Sequence, residues 1–309
     1  MVIPLVLAVL AAVFYAITNH IDKYMVSRAV KNADYRSLVL ISTAIAGLAM
    51  AIIYLFVCDF QLAFDWQSIL ILFGNSIIYA ITLIFWCKAI GRDDATVIVI
   101  MFQLIPVFTL LLSPLLLKDQ TISTMQLIGG IIITFAALFI TYEPSKRKFS
   151  KKKLGTLTLM TCTSLGYTIW FIIERFVNQD HDFNQTTLWS NITLCIVGIL
   201  IFVFIKSYRK SFVRLMKHDA IKVLTLNLFN ELFNSFGGVF STFAGTMTSV
   251  ALVSFITQGV QPFAVMTLGI LLTKIFPKMH KEKPSKREFI KRVIAIIICI
   301  VGLAFIEFG

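Results

Sequence analysis

Ten stretches of the chain are almost continuously apolar, at about 3–25, 36–58, 67–90, 94–117, 121–142, 154–177, 186–206, 219–243, 247–272 and 289–308. Each is close to the roughly 20 residues that an α-helix needs to cross a bilayer. The pattern predicts an all-α membrane protein of ten transmembrane helices. Charges and turn formers gather in the breaks, as in Gly91-Arg92-Asp93-Asp94 and Lys118-Asp119-Gln120, and the longest breaks are the basic runs Ser145–Lys153 and Lys274–Arg292. The first stretch lacks a basic n-region and a small-residue cleavage site before a polar domain, so it reads as a span rather than a removed signal.

Composition narrows the class further. Of 309 residues, 58% are hydrophobic and 14% charged, against about 45–50% and 25% in soluble domains. That excludes a soluble enzyme, a disordered chain and a nucleic-acid-binding domain. The net charge of +12 does not call for nucleic acid, because the cations sit between the apolar runs. Connections after the odd-numbered spans hold 26 of the 28 Lys and Arg residues. The positive-inside rule then puts those loops in the cytoplasm and both termini outside. Cys58, Cys87, Cys162, Cys195 and Cys299 lie in or beside apolar runs with no CxxC spacing, so no disulfide framework, zinc site or other metal site is expected. The Lys/Ile/Phe-rich composition suggests a bacterial inner membrane.

The two halves echo each other in order. Ile21-Asp22-Lys23-Tyr24 aligns with Ile173-Glu174-Arg175-Phe176, Asn75 with Asn230, Ala89 with Ala244 and Pro106 with Pro262. With five spans each, the halves must insert with opposite orientation. Such inverted repeats are a feature of secondary transporters, whose substrate sites lie near the midplane between them.

The stretch Phe85-Trp86-Cys87-Lys88-Ala89-Ile90, then Asp94-Ala95-Thr96 and Leu104-Ile105-Pro106-Val107-Phe108-Thr109, resembles the third and fourth helices of an EamA-type repeat. Leu115–Asp119 and Leu127-Ile128-Gly129-Gly130 fit its next turn and fifth helix, and Gly245–Ala251 with Gln261-Pro262-Phe263-Ala264 gives a weaker second copy. The resemblance is to the drug/metabolite transporter superfamily and runs nearly end to end. It implies two five-helix inverted repeats, 1–145 and 154–309, joined by a basic cytoplasmic linker at 146–153. It also implies a central cavity bordered by helices 1, 3, 4, 6, 8 and 9. The chain departs from the family pattern at Asp119, where Glu is usual, and many relatives keep both termini in the cytoplasm.

Polar groups inside spans carry the functional information, because an ion at a helix centre is unfavourable by roughly 2.5–3.5 kcal/mol on insertion scales. Glu231 is the one acid at the middle of a span. Asn227 and Asn234 share its helix face by spacing, and Asn230 sits beside it. This cluster predicts a site for a cationic group or a coupling proton, with interhelical packing as the alternative. Tyr15, Asn19 and His20, Asn75 and Tyr79, Trp86, Gln103, Tyr167 and Trp170, and Gln258 and Gln261 complete the candidate lining. Aromatic rings beside an acid suit an ammonium group. Asp22, Lys88 and Glu174 are gate candidates, against a reading as interfacial charges.

The reading is a secondary transporter for a small polar or cationic metabolite, such as an amino acid or amine, working by alternating access and open to proton coupling through Glu231. No Walker, HExxH, GxSxG or GxGxxG motif occurs, so no cofactor and no enzymatic activity are expected. The expected partners are the substrate and the lipid bilayer, with a homodimer left open and no nucleic acid. The rival readings are a non-transporting scaffold or receptor and a membrane-embedded enzyme.

Overall fold

The structure, a computed structural model, describes residues 2–26, 34–62, 65–117, 123–143, 148–248, 250–276 and 284–308. Helices dominate it: α1 (Val2–Tyr24), α2 (Tyr35–Leu40), α3 (Ala46–Val57), α4 (Trp66–Ile90), α5 (Ala95–Phe102), α6 (Leu104–Leu117), α7 (Thr124–Phe139), α8 (Lys151–Val177), α9 (Phe183–Phe204), α10 (Lys206–Met247), α11 (Val250–Ile275) and α12 (Lys286–Phe308). A π-helical turn, Ile41–Ile45, joins α2 to α3, so Tyr35–Val57 reads as one span. Two short strands, β1 (Tyr142–Glu143) and β2 (Lys148–Phe149), pair antiparallel before α8.

The helix starts follow from their capping residues. Asp65 accepts from the Ser68 amide, Asp182 from those of Asn184 and Gln185, and Ser123 forms a capping box with Gln126. Each satisfies amides that the first helical turn leaves unpaired.

Every predicted apolar stretch forms helix, but with three differences. Span 4 is broken at Gln103, between α5 and α6. Pro106 explains the position, since it has no N–H for the Phe102 carbonyl four residues earlier and its ring crowds that turn. The second difference is at 207–218, expected as a loop. It is helical and continuous with the span, making α10 42 residues long. Its apolar positions Phe212, Leu215 and Met216 recur at helical spacing and pack into the core. The third is Lys151–Lys153, placed in the linker by sequence, which forms the first turn of α8. Of that linker, Lys146 and Arg147 lie outside the described residues, as do Arg28, Lys31, Asp119 and the stretch 277–283.

Among the described residues eight helical segments are long and apolar enough to cross a membrane. The two remaining expected spans differ for identifiable reasons. Helix α7 has 16 residues, about 24 Å at about 1.5 Å per residue. In α10, Asn227, Asn230, Glu231 and Asn234 dilute the apolar half.

Packing divides the helices into groups. Helix α1 lies against α10 and α11, α4 against α8 and α9, and α7 against α12. The α7–α12 contact needs glycine, because a β-carbon on Gly129 would lie 2.5 Å from the Gly302 carbonyl oxygen. The largest core is one-sided. It gathers Met25 just after α1, Leu38 and Val39 of α2, Trp86, Cys87, Ala89 and Ile90 of α4, Val97, Ile98, Ile100 and Met101 of α5, Ile140 after α7 and Leu215 of α10. All these lie toward the Lys/Arg-rich connections. An apolar groove of about 430 Å³ between α6 and α7, lined by Val107, Leu110, Leu127, Ile131 and Phe135, belongs to the apolar exterior.

Candidate functional site

The polar centre is built where α1, α4 and α10 meet. Asp22 is two residues before Tyr24, the last residue of α1, yet it points inward. Its Oδ2 accepts from the Trp86 indole Nε1 at 2.9 Å and its Oδ1 from Asn230 Nδ2 at 2.8 Å. The Asn230 amide is therefore oriented, and its own Oδ1 is buried with no partner among the described residues. Asn75 is in the same condition. Its Nδ2 donates to the Trp170 carbonyl at 3.2 Å and its buried Oδ1 has no partner among the described residues. Buried amide oxygens without partners are uncommon in folded proteins, and they mark places where a ligand or water belongs.

Glu231 follows Asn230 on α10 and is half-buried. It lies within electrostatic range of Asp22, and both carboxyl groups act on the Tyr79 and Tyr167 hydroxyls. Among the described residues neither Asp22 nor Glu231 has a cationic partner. The wall opposite is aromatic. Trp86 meets Phe102 at 5.2 Å between centroids, Phe102 meets Tyr167 at 5.5 Å, Tyr167 meets Tyr79 at 5.8 Å, and Tyr79 meets Trp170 at 5.4 Å. The chain of rings runs across α4, α5 and α8.

At one end of this centre the helices are tied together. Lys23 Nζ donates to the Ile90 carbonyl at 2.7 Å and the Asp93 carbonyl at 2.5 Å, joining α1 to the α4–α5 turn. Arg292 of α12 pairs with Asp94 at the start of α5. Lys291 donates to the carbonyls of Ile140 and Tyr142. These ties lie at the end that holds the main core. Among the described residues no hydrogen bond joins α1 to α4 toward their other ends.

The family model for EamA-like transporters matches residues 2–142. That part of the chain is similar to the EamA-like transporter family. The matched stretch covers α1 to α7 and stops at β1. No curated protein matches. Among solved structures 24 chains match. One, titled "Crystal structure of protein", has a TM-score of 0.53 at 12% identity and covers 98% of this chain and 94% of that chain. At that identity the likeness speaks for the fold alone, and it extends through α8 to α12, beyond the family match.

The other expected residues take several roles. Gln103 Nε2 donates to the Gln258 carbonyl at 3.2 Å, linking the α5–α6 break to α11, and Gln258 donates to Ser254. Gln261, also of α11, is buried. Asn19 spends its amide on the Tyr15 carbonyl of its own helix. His20 lies 2.7 Å from the Val265 carbonyl. The Tyr15 ring lies against Gly237, where a β-carbon would come within 2.8 Å of it.

The gate candidate Lys88 does not face Asp22. Its ammonium sits 4.8 Å from the Tyr35 ring centre. The stripe Asn227, Glu231, Asn234 does not act as one face either. Asn227 donates to Ser42 at 3.1 Å and Asn234 is exposed, whereas Asn230, off the stripe, reaches Asp22. Helix α10 is held between α1 and the α2–α3 span, so residues about 100° apart around it meet different neighbours. Phe102 takes a part that the sequence does not single out, because an aromatic residue in an apolar run is too common to stand out.

At the opposite end Glu174 accepts from Ser190 of α9, and Arg175 beside it is exposed. Nearby, His181 Nε2 lies 2.6 Å from Asp65 Oδ1 and 3.1 Å from Ser68 Oγ. The Ser68 backbone amide holds the Asp65 carboxyl below its ordinary range. Serine and acid meet the same ring nitrogen, so this is not a Ser–His–Asp triad, in which they take opposite nitrogens.

Proposed function

We propose that this chain is a secondary transporter that binds a small polar or cationic metabolite between its two halves and moves it by alternating access. The supporting observation is that Asp22 and Glu231 share an aromatic-walled centre in which neither has a counter-cation among the described residues. A carboxylate within a membrane-spanning bundle needs a positive charge or a proton. An ammonium group between the two carboxyl groups and over the rings meets that need. A proton on Glu231 meets it when substrate is absent, which gives a route to coupling.

In this reading the chain has ten spans in two inverted five-helix repeats and is closed at its Lys/Arg-rich end. Lys23 and Asp22 form that closure. Their repeat counterparts, Arg175 and Glu174, form the closure at the other end in the alternate state. The loop charges put the Lys/Arg-rich end in the cytoplasm, so the state described is open outward.

The test is ligand-induced thermal stabilisation in detergent, followed by uptake into proteoliposomes. Amines, choline-like cations, amino acids, sugars and nucleotides are compared on wild type, Glu231→Gln and Asp22→Asn. A cation that stabilises wild type but neither variant, and is carried only by wild type, is the expected result. Equal stabilisation of all three by every ligand would remove both acids from the site. A folded protein that binds and carries nothing would favour the scaffold reading.

A further inference from the structure

The first part of α10 carries a surface that the proposed transport function leaves unused. At about 1.5 Å per residue its 42 residues reach about 63 Å, twice the roughly 30 Å hydrocarbon core of a bilayer. Helix α1 shows where the spanning part lies. Phe14 stacks on Phe233 and meets Phe240 at a tilt, Asp22 meets Asn230, and Tyr24 meets Lys222. Residues 206–221 extend beyond that last contact, past the described end of α1.

This extension is amphipathic. Tyr208, Phe212, Leu215 and Met216 pack into the core, and Ser211 pairs with Ser37 of α2 at 3.2 Å. The opposite face is thereby fixed outward. It bears Lys206, Arg209, Lys210, Arg214 and Lys217, all exposed. Their spacing confines them to an arc of about 140° at about 100° per residue. Among the described residues none of the five has a carboxylate partner, and Arg209 donates to the Val203 carbonyl. The same arc exposes Val213 and Ile221, the latter 84% exposed, and Phe204 stands 77% exposed at the turn leading in.

We infer that residues 206–221 form a docking surface for the headgroups of anionic phospholipids in the membrane that the chain spans. The charge is complementary, and the segment continues without a break into the helix that carries Asn230 and Glu231. Cations interspersed with exposed Val213 and Ile221 match a bilayer interface, where phosphates and acyl chains are met together. A nucleic acid would match the cations alone. The inference rests on the fold and is independent of the transport reading.

The test uses the full-length chain reconstituted in phosphatidylcholine alone or mixed with phosphatidylglycerol, with thermal unfolding as readout. Phosphatidylglycerol is expected to raise the Tm of wild type by about 2–4 °C, and raised salt to reduce the gain. The K206Q/K210Q/R214Q/K217Q variant should lose the gain and K206R/K210R/R214K/K217R should keep it. Should the four-site Gln variant fail to insert, K210Q/K217Q should lose about half of the gain and serves in its place. Neutralising Lys151, Lys152 and Lys153 should leave the gain intact. The proposal is overturned by a gain that survives the Gln variants, by one abolished by the Lys151–Lys153 change, or by an equal gain from inorganic phosphate or a single-stranded oligonucleotide.

Discussion

Asn230 of α10 donates a 2.8 Å hydrogen bond to Asp22 of α1, across 208 residues of chain. With the Trp86 indole on the other oxygen, it gives the carboxyl group two donors and no cation among the described residues. Removing one donor leaves a polar group unsatisfied inside the bundle. Asn230→Ala is expected to destabilise by about 1–3 kcal/mol, and Asp22→Asn/Asn230→Ala by less than the sum of the single changes. Denaturation of all four proteins in one detergent closes that cycle, and simple additivity would mean the bond contributes nothing.

Trp86 has two separable tasks, a hydrogen bond to Asp22 and a ring contact with Phe102 at 5.2 Å. Trp86→Phe keeps an aromatic ring and loses the donor, so it should destabilise by about 1–3 kcal/mol while weakening binding of any cationic ligand. Trp86→Ala loses both and should destabilise by about 3–5 kcal/mol. Calorimetry and thermal unfolding separate the two effects.

Lys23 holds the end of α1 to the α4–α5 turn through two carbonyl oxygens. Lys23→Gln is expected to loosen that closure. In a protein whose only cysteine is Cys87, which is buried beside Trp86, thiol labelling from the Lys/Arg-rich side should quicken by about tenfold, the equivalent of roughly 1.4 kcal/mol in opening. An unchanged labelling rate would show that Lys23 does not close the centre.

The glycine pair Gly129 and Gly302 lets α7 and α12 approach to backbone contact. Gly129→Ala should destabilise by about 1–3 kcal/mol through overpacking. Gly74→Ala is the control, since a β-carbon there meets nothing within 4 Å. The monodisperse fraction on size exclusion after mild heating reports the difference.

Asp65 caps α4, and the Ser68 amide keeps its carboxyl below the ordinary range. A carboxyl depressed in the folded chain adds stability above its unfolded value, and that stability is lost as pH falls through the folded one. Asp65→Asn should therefore lower Tm at neutral pH, with the gap to wild type closing below about pH 4. A gap that persists in acid would assign the effect to shape rather than charge.

Much of this architecture is legible in one dimension, because a bilayer imposes its thickness on every helix that crosses it. Apolar runs near that length become helices wherever they are packed, so their rough limits follow from composition, although eight of the ten expected reach spanning length and hydropathy among the described residues. Acids and amides inside such runs stand out against the same background, which is why Glu231, Asn230, Asn75 and the aromatic candidates are visible without coordinates. What they touch is decided elsewhere. Whether Asp22 faces lipid, Lys88 or Asn230 depends on the rotation of α1 against α4 and α10, and a shift of one residue turns a side chain by about 100°. The basic stretch after α9 reads as a loop by charge, yet it is helix, because Leu215 and its neighbours find a core to pack against. Local sequence sets which segments are helical and apolar. Only the packing of helices distant in sequence decides which polar groups meet, since that depends on surfaces that local propensity does not encode.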